Sequence, residues 1–145
     1  MSETILKEAN IQLNQSLTGK EEAVRFVGGI LHKEGYVTED YIESMLAREE
    51  ITSTFMGNHV AIPHGTEEAK KSVKETGISV VTVPDGVDFG GGNIVKLLIG
   101  IAGKGDEHLE ILSKIAIVCS EEENIDKILQ ADSKQEVISI FSEVE

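Results

Sequence analysis

The sequence predicts an α/β fold, a mixed β-sheet covered by helices on its faces. Three observations carry that expectation: two apolar runs of strand character at residues 77–83 (GISVVTV) and 94–102 (IVKLLIGIA), amphipathic helical stretches on either side of them in the chain, and turn-forming residues between the elements. The order is mixed helix and strand throughout. No repeat, low-complexity tract or Pro/Ser-rich linker divides the 145 residues, so one domain over 1–145 is expected. A chain of this length buries roughly 70% of the surface its unfolded form exposes and needs no disulfide or metal staple.

The elements follow in order. Ile11, Leu13 and the turn-forming Asn14 suggest a short strand. Thr18 with Glu21 is a capping-box pattern, and Ala23, Val24, Phe26, Val27, Ile30 and Leu31 then recur at helical spacing, predicting a helix over 19–33. Gly35 closes it. Thr38 caps a second helix whose apolar face is Tyr41, Ile42, Met45 and Leu46 and which ends near Arg48 and Glu49. TSTFMGNHVAIP, residues 52–63, reads as short strands around a turn at Gly57 and Asn58. Thr66 caps a short polar helix with Glu67 and Glu68 in its first turn. The two central strands come next. Asp106 then caps a long helix with Leu109, Leu112, Ile115, Ala116 and Cys119 on one face, and Glu121–Gln130 and the Ser133/Glu136 capping box give two final helices.

Charge narrows the function classes. With 26 acidic and 13 basic side chains the net charge is −13, and residues 106–145 hold 11 acidic and 3 basic, or −8 of it. Such a field repels phosphate backbones and anionic lipid, so nucleic acid is not an expected partner and neither is direct membrane insertion. No apolar run approaches the ~20 residues of a membrane span and no leader pattern opens the chain, so a cytoplasmic location is expected. The single cysteine, Cys119 in the run IAIVC, is expected to be a buried core residue.

The four histidines differ by context. His32 falls in the last turn of the first helix, where it complements the dipole. His64 stands at a strand end in IPHGT, between the fixed φ of Pro63 and the permissive Gly65 and just before a helix N-terminus. A neutral imidazole facing free backbone N–H groups is a competent nucleophile toward phosphorus. The same three residues also make an ordinary tight turn, and spacing alone leaves both readings open. His108, in GKGDEHLEIL, falls in a first helical turn, where the dipole disfavours imidazolium. It is either a tolerated surface residue or a neutral partner that orients a phosphoryl group. Arg48, in MLAREE, either complements its helix C-terminus and pairs with Glu49 or Glu50, or presents a guanidinium fork to phosphate oxygens.

Other chemistry is excluded. GxxxxGK[ST] fails at Gly103-Lys104, because position 98 is Leu and position 105 is Gly. HExxH, paired CxxC and a Ser-centred nucleophile elbow are absent, and His59 with His64 is too small a set for zinc. No cofactor and no metal are expected.

The run TSTFMGNHVAIPHGTEEAKK resembles the phosphorylation-site segment of the phosphotransferase-system (PTS) enzyme IIA family, fructose/mannitol type. MLAREE, the strand pair with VPDGVDFGGGN and the GDEHLEIL segment fall in that family's order, so the likeness spans nearly the whole chain. IPHG is common to the family's branches, whereas TSTFMGN and VPDGVDFG look most like the mannitol-specific branch. The resemblance implies that His64 accepts a phosphoryl group from the phosphocarrier HPr and passes it to a cysteine of the mannitol IIB domain of the IIB/IICB transporter component. It implies that His108 and Arg48 stabilise the phosphoryl group and that Cys119 has no catalytic part. His59 departs from the family's pattern, where many relatives carry a small residue, and is expected at the rim of the site without a catalytic role. The competing readings are a fructose-type or nitrogen-regulatory IIA protein using the same histidine, and a non-catalytic interaction module.

Overall fold

In a computed structural model, which describes residues 5–142, helices cover both faces of a five-stranded mixed sheet. The strands are β1 (Ile11–Gln12), β2 (Phe55–Gly57), β3 (Val60–Ala61), β4 (Gly77–Asp88) and β5 (Ile94–Ala102), in the order β1-β4-β5-β3-β2. β4 and β5 pair antiparallel at the centre, with Ile78 opposite Ile101 and Thr82 opposite Leu97. β1 runs parallel to β4, and β3 runs parallel to β5 with Val60 opposite Leu97.

The period-2 alternation of the central strands divides the core in two. Ile78, Val80, Leu97, Ile99 and Ile101 face α3 (Glu107–Cys119), α4 (Glu122–Leu129) and α5 (Lys134–Ser142), and meet Ile115, Ile128 and Phe141. Val81, Val83, Leu98 and Ala102 face α1 (Lys20–Lys33) and α2 (Asp40–Ile51), and meet Val24, Val27 and Met45. Gly100 keeps its α1-facing place in the alternation but carries no side chain for a packing reason: a Cβ there would lie 3.0 Å from Val27 Cβ and 2.5 Å from Ser79 Oγ, so the glycine admits α1 to the sheet.

Several local expectations need correction. Strand β4 continues past Val83 to Asp88, with a register shift between Thr82 and Val87 and Gly86 at φ +81°; the turn itself is the glycine run 90–92. A bulge absorbs Pro84, which lacks an N–H for the ladder, without ending the strand. Helix α1 starts from an extended Gly19, and the Thr18 N–H donates to Glu22 rather than Glu21. The Thr38 hydroxyl bonds the Asp40 carboxylate instead of capping, and α2 runs on to Ile51. Asp106 makes no side-chain cap. On α3 the buried stripe is Ile111, Ile115, Val118 and Cys119, leaving Ala116 exposed and Leu109 66% exposed. Half of the Ser133 box forms: Ser133 Oγ accepts from the Glu136 N–H, while the Glu136 carboxylate reaches one residue further back, to the Asp132 N–H.

Candidate functional site

His64 sits just beyond β3, where Pro63 C=O accepts from the Ile101 N–H (2.9 Å) and His64 itself bridges to Ile101 in parallel register. The ring is therefore carried by the sheet rather than by a free loop. It is only 8% exposed. Its Nδ1 lies 2.8 Å from Ile62 O. A carbonyl only accepts, so the neutral ring carries its proton on Nδ1 and keeps the Nε2 lone pair free. Burial holds the His64 pKa below the usual histidine value, with the Arg48 charge adding to the depression and the Ile62 hydrogen bond and Glu49 opposing it.

Helix α2 lays a polar row along this segment at i, i+3 and i+7: Tyr41, Ser44 and Arg48. Tyr41 Oη accepts from the Gly65 N–H (2.9 Å) and donates to Ile101 O (2.8 Å). Ser44 Oγ accepts from the Thr66 N–H (2.9 Å) and shares a hydrogen bond with Thr66 Oγ1 (3.0 Å). The approach is close. A Cβ on Gly65 would lie 2.5 Å from Tyr41 Cε1, so glycine is required there by contact with the phenol rather than by backbone conformation. These bonds correct two expectations: the N–H groups of Gly65 and Thr66 are already taken by hydroxyls, and the following segment, Glu67–Ser72, is a 3-10 helix with no side-chain cap from Thr66.

Arg48 Nη1 donates to Thr52 O (2.7 Å) at the end of α2. The ion pair with Glu49 does not form, because Glu49, 4% exposed, turns inward to accept from the Thr54 N–H (2.8 Å) and Thr54 Oγ1 (2.6 Å). His108, in the first turn of α3, places its ring 5.3 Å from that of His64, tilted by 54°. Burial is the main reason its pKa lies below the usual value, with the charges of His64 and Lys70 contributing. A Cβ on Gly103 would overlap His108 Cα, so glycine lets the start of α3 come against the end of β5.

The structure thus brings His64, His108 and Arg48 to one cavity of about 220 Å³, whose wall also includes Tyr41, Glu67 and Lys70. Leu109 and Leu112 form an apolar part of the lining. His59 is elsewhere: at φ +66° in the β2–β3 turn, its Nδ1 is 3.0 Å from Ile94 O, and it lines a separate depression with Asn58 and Lys96. His32 Nδ1 lies 3.3 Å from Val37 O, remote from the site in the last turn of α1. Cys119 is buried and its thiol is pushed up to about 12, which leaves it without nucleophilic character. Among the described residues no group of three His, Cys, Asp or Glu side chains is arranged to hold a metal ion.

Tyr41, Ser44 and Lys70 went unrecognised as site residues in the sequence. The signal for the first two was present in the i, i+3, i+7 row ending at Arg48, but Tyr41 reads equally well as part of an apolar face.

Two imidazoles and a guanidinium around one small hollow, with the nucleophilic nitrogen of one ring left free, suit the reversible carriage of a phosphoryl group. Residues 4–144 match the family model of the phosphoenolpyruvate-dependent sugar phosphotransferase system, EIIA 2, and the chain belongs to that family. Within it, the chain is 60% identical over 144 residues to the mannitol-specific phosphotransferase enzyme IIA component of Geobacillus stearothermophilus, covering 99% of each. Its fold is similar to the crystal structure of IIA mannitol from Escherichia coli, with TM-score 0.87 and 38% identity over 94% of this chain and 98% of that one. It is also similar to enzyme IIAMTL in complex with phosphorylated enzyme IIBMTL from Escherichia coli, with TM-score 0.88 and 35% identity over 95% and 97% of the two chains.

Proposed function

We propose that this chain, acting as one EIIA domain over its whole length, is a mannitol-type IIA component that carries a phosphoryl group on Nε2 of His64. It takes the group from phospho-HPr and gives it to a cysteine of the mannitol IIB domain, in the cytoplasm. The observation that carries the assignment is the Nδ1 hydrogen bond to Ile62 O, which leaves Nε2 as the nitrogen with a lone pair. The similarity to mannitol-specific IIA components and to a IIA chain in complex with phosphorylated IIB supports the acceptor. Among the described residues no helix is long and apolar enough to cross a membrane, in keeping with a carrier that meets its transporter from outside the bilayer.

In the loading step the Nε2 lone pair attacks phosphorus in line, the new N–P bond forms as the donor's imidazole N–P bond breaks, and the donor nitrogen keeps the bonding pair. The Nδ1 proton stays on His64 and is held by Ile62 O, which stabilises the cationic character of the ring while it carries the group. In the unloading step an acceptor thiolate attacks phosphorus, the S–P bond forms, and the pair returns to Nε2. Arg48 and His108 supply hydrogen-bond donors to the equatorial oxygens, where charge accumulates in the transition state.

Incubation with phosphoenolpyruvate, enzyme I and HPr tests this. Acid-labile label is expected on the wild type and absent from His64→Ala; label retained in that variant refutes the site. Arg48→Ala and His108→Ala are expected to fold and to slow single-turnover transfer roughly 10²-fold, the scale for losing one transition-state donor. Acceptance of the group by a mannitol IIB domain in preference to a fructose IIB domain separates the mannitol reading from the fructose-type one.

A further inference from the structure

The 3-10 helix Glu67–Ser72 begins three residues after His64 and carries Lys70 into the cavity wall beside Arg48, His64 and His108. In the unloaded protein the Lys70 ammonium is occupied, with Nζ 3.0 Å from Glu67 Oε2. The two partners are not equivalent. The Lys70 side chain is 39% exposed and the Glu67 side chain 78%, so the cation lies against the protein and the anion stands in solvent. Lys70 is also near enough to His108 for its charge to oppose protonation of that ring, while Glu67 favours it. Arg48 on α2 and Lys70 on the 3-10 helix thus bring positive charge to the two imidazoles from different elements.

An exposed Lys–Glu pair at i, i+3 is weak and is loosened further by salt. A phosphoryl group on His64 brings a charge of about −1.5 to −2 and three strong acceptor oxygens into the same hollow. That group competes with the Glu67 carboxylate for the ammonium and repels the carboxylate.

We propose, resting on the assignment of His64 as the phosphorylated residue, that Lys70 is a phosphoryl-binding residue and Glu67 its placeholder. On loading, the Lys70 ammonium leaves Glu67 and donates to a phosphoryl oxygen; on unloading it returns. No covalent bond changes in this exchange, and the proton stays on Nζ throughout.

The test compares wild type, Lys70→Gln, Lys70→Arg and Glu67→Gln in the full chain. The readouts are the equilibrium share of phosphoryl group between HPr and this protein, and the second pKa of the phosphoryl group from 31P NMR against pH. Lys70→Gln is expected to shift the equilibrium about tenfold toward phospho-HPr and to raise the phosphoryl pKa. Lys70→Arg should restore both, and Glu67→Gln should shift the equilibrium severalfold the other way, which a general loss of structure does not produce. Wild-type equilibrium and phosphoryl pKa in Lys70→Gln overturn the Lys70 assignment. Loss in Lys70→Gln with no gain in Glu67→Gln overturns the placeholder exchange. A wild type that takes no label at all removes the His64 reading, and this inference with it.

Discussion

The Tyr41 hydroxyl ties the His64 segment, α2 and β5 together through two hydrogen bonds, and Tyr41→Phe removes it without changing side-chain shape. The substitution deletes the bond from the Gly65 N–H (2.9 Å) and the bond to Ile101 O (2.8 Å), leaving a buried donor and a buried acceptor behind. Each orphaned group costs about 1–3 kcal/mol, so a loss of roughly 2–6 kcal/mol is expected, a large part of the ~5–15 kcal/mol of a typical domain. At about 3–4 °C per kcal/mol for this size, the melting temperature should fall by roughly 6–24 °C. The pH dependence makes the prediction specific. Burial pushes the Tyr41 phenol up to about 12, against about 10 for a free tyrosine, so the folded chain holds this proton where the unfolded chain releases it. Its contribution to stability is therefore complete below pH 10 and is lost as pH rises toward 12. Linkage puts that loss at about 1.4 kcal/mol by pH 11. Urea denaturation of both proteins at pH 7 and pH 11 reads the difference directly: the gap between wild type and variant should narrow by that amount. A variant within about 0.5 kcal/mol of wild type at pH 7, or a gap unchanged at pH 11, refutes the anchoring role.

Gly103→Ala should displace His108, because the added Cβ would overlap His108 Cα and lie 2.6 Å from its Cβ; a destabilisation of about 1–3 kcal/mol and at least tenfold slower phosphoryl acceptance are expected. Gly29→Ala on α1, where a Cβ meets nothing within 4 Å, is the control and should stabilise slightly; equal behaviour of the two variants in melting and transfer assays counts against the close packing. For His64, burial holds the folded pKa below that of a free histidine, so the unfolded chain binds the extra proton first and stability falls as pH drops through about 6.5. An NMR titration of the ring should show a midpoint below 6.5, and a midpoint at or above that value contradicts the buried neutral imidazole.

The parts of the fold that were legible in the sequence are those set by burial alone. Strand β5 and the first half of β4 announce themselves as apolar runs because both of their faces are covered, and α1 shows its helical period because only one of its faces is. What the sequence concealed depends on partners brought in by tertiary structure. Thr38 and Thr66 have the chemistry of caps, but Asp40 and Ser44 compete for their hydroxyls. The buried stripe of α3 turned out to be rotated because its register is set by packing against the sheet, with Ile111 chosen over Leu109. The site divides in the same way. His64, His108 and Arg48 were each conspicuous in their local context, as a constrained imidazole, a histidine at a helix N-terminus and a scarce arginine. Tyr41 and Lys70 look like core and surface residues until the chain folds, since their roles lie in the Gly65 N–H and in a shared cavity wall.

The charge distribution fits a carrier better than a catalyst that holds its product. A permanent cluster of free cations around His64 would bind a phosphoryl dianion tightly and slow its departure. Here both imidazoles are kept neutral by burial, Arg48 is partly committed to Thr52 O, and Lys70 is paired with Glu67. If Arg48 and Lys70 are the donors proposed above, each has a partner to return to, and the energy of binding the group is moderated by the bonds given up to bind it. The net charge of −13 acts in the same direction at longer range, because the chain as a whole repels a phosphate that only its local donors attract. A group that must move on to a second protein is best held in that balance, and the balance is written into which side chains the donors pair with when the site is empty.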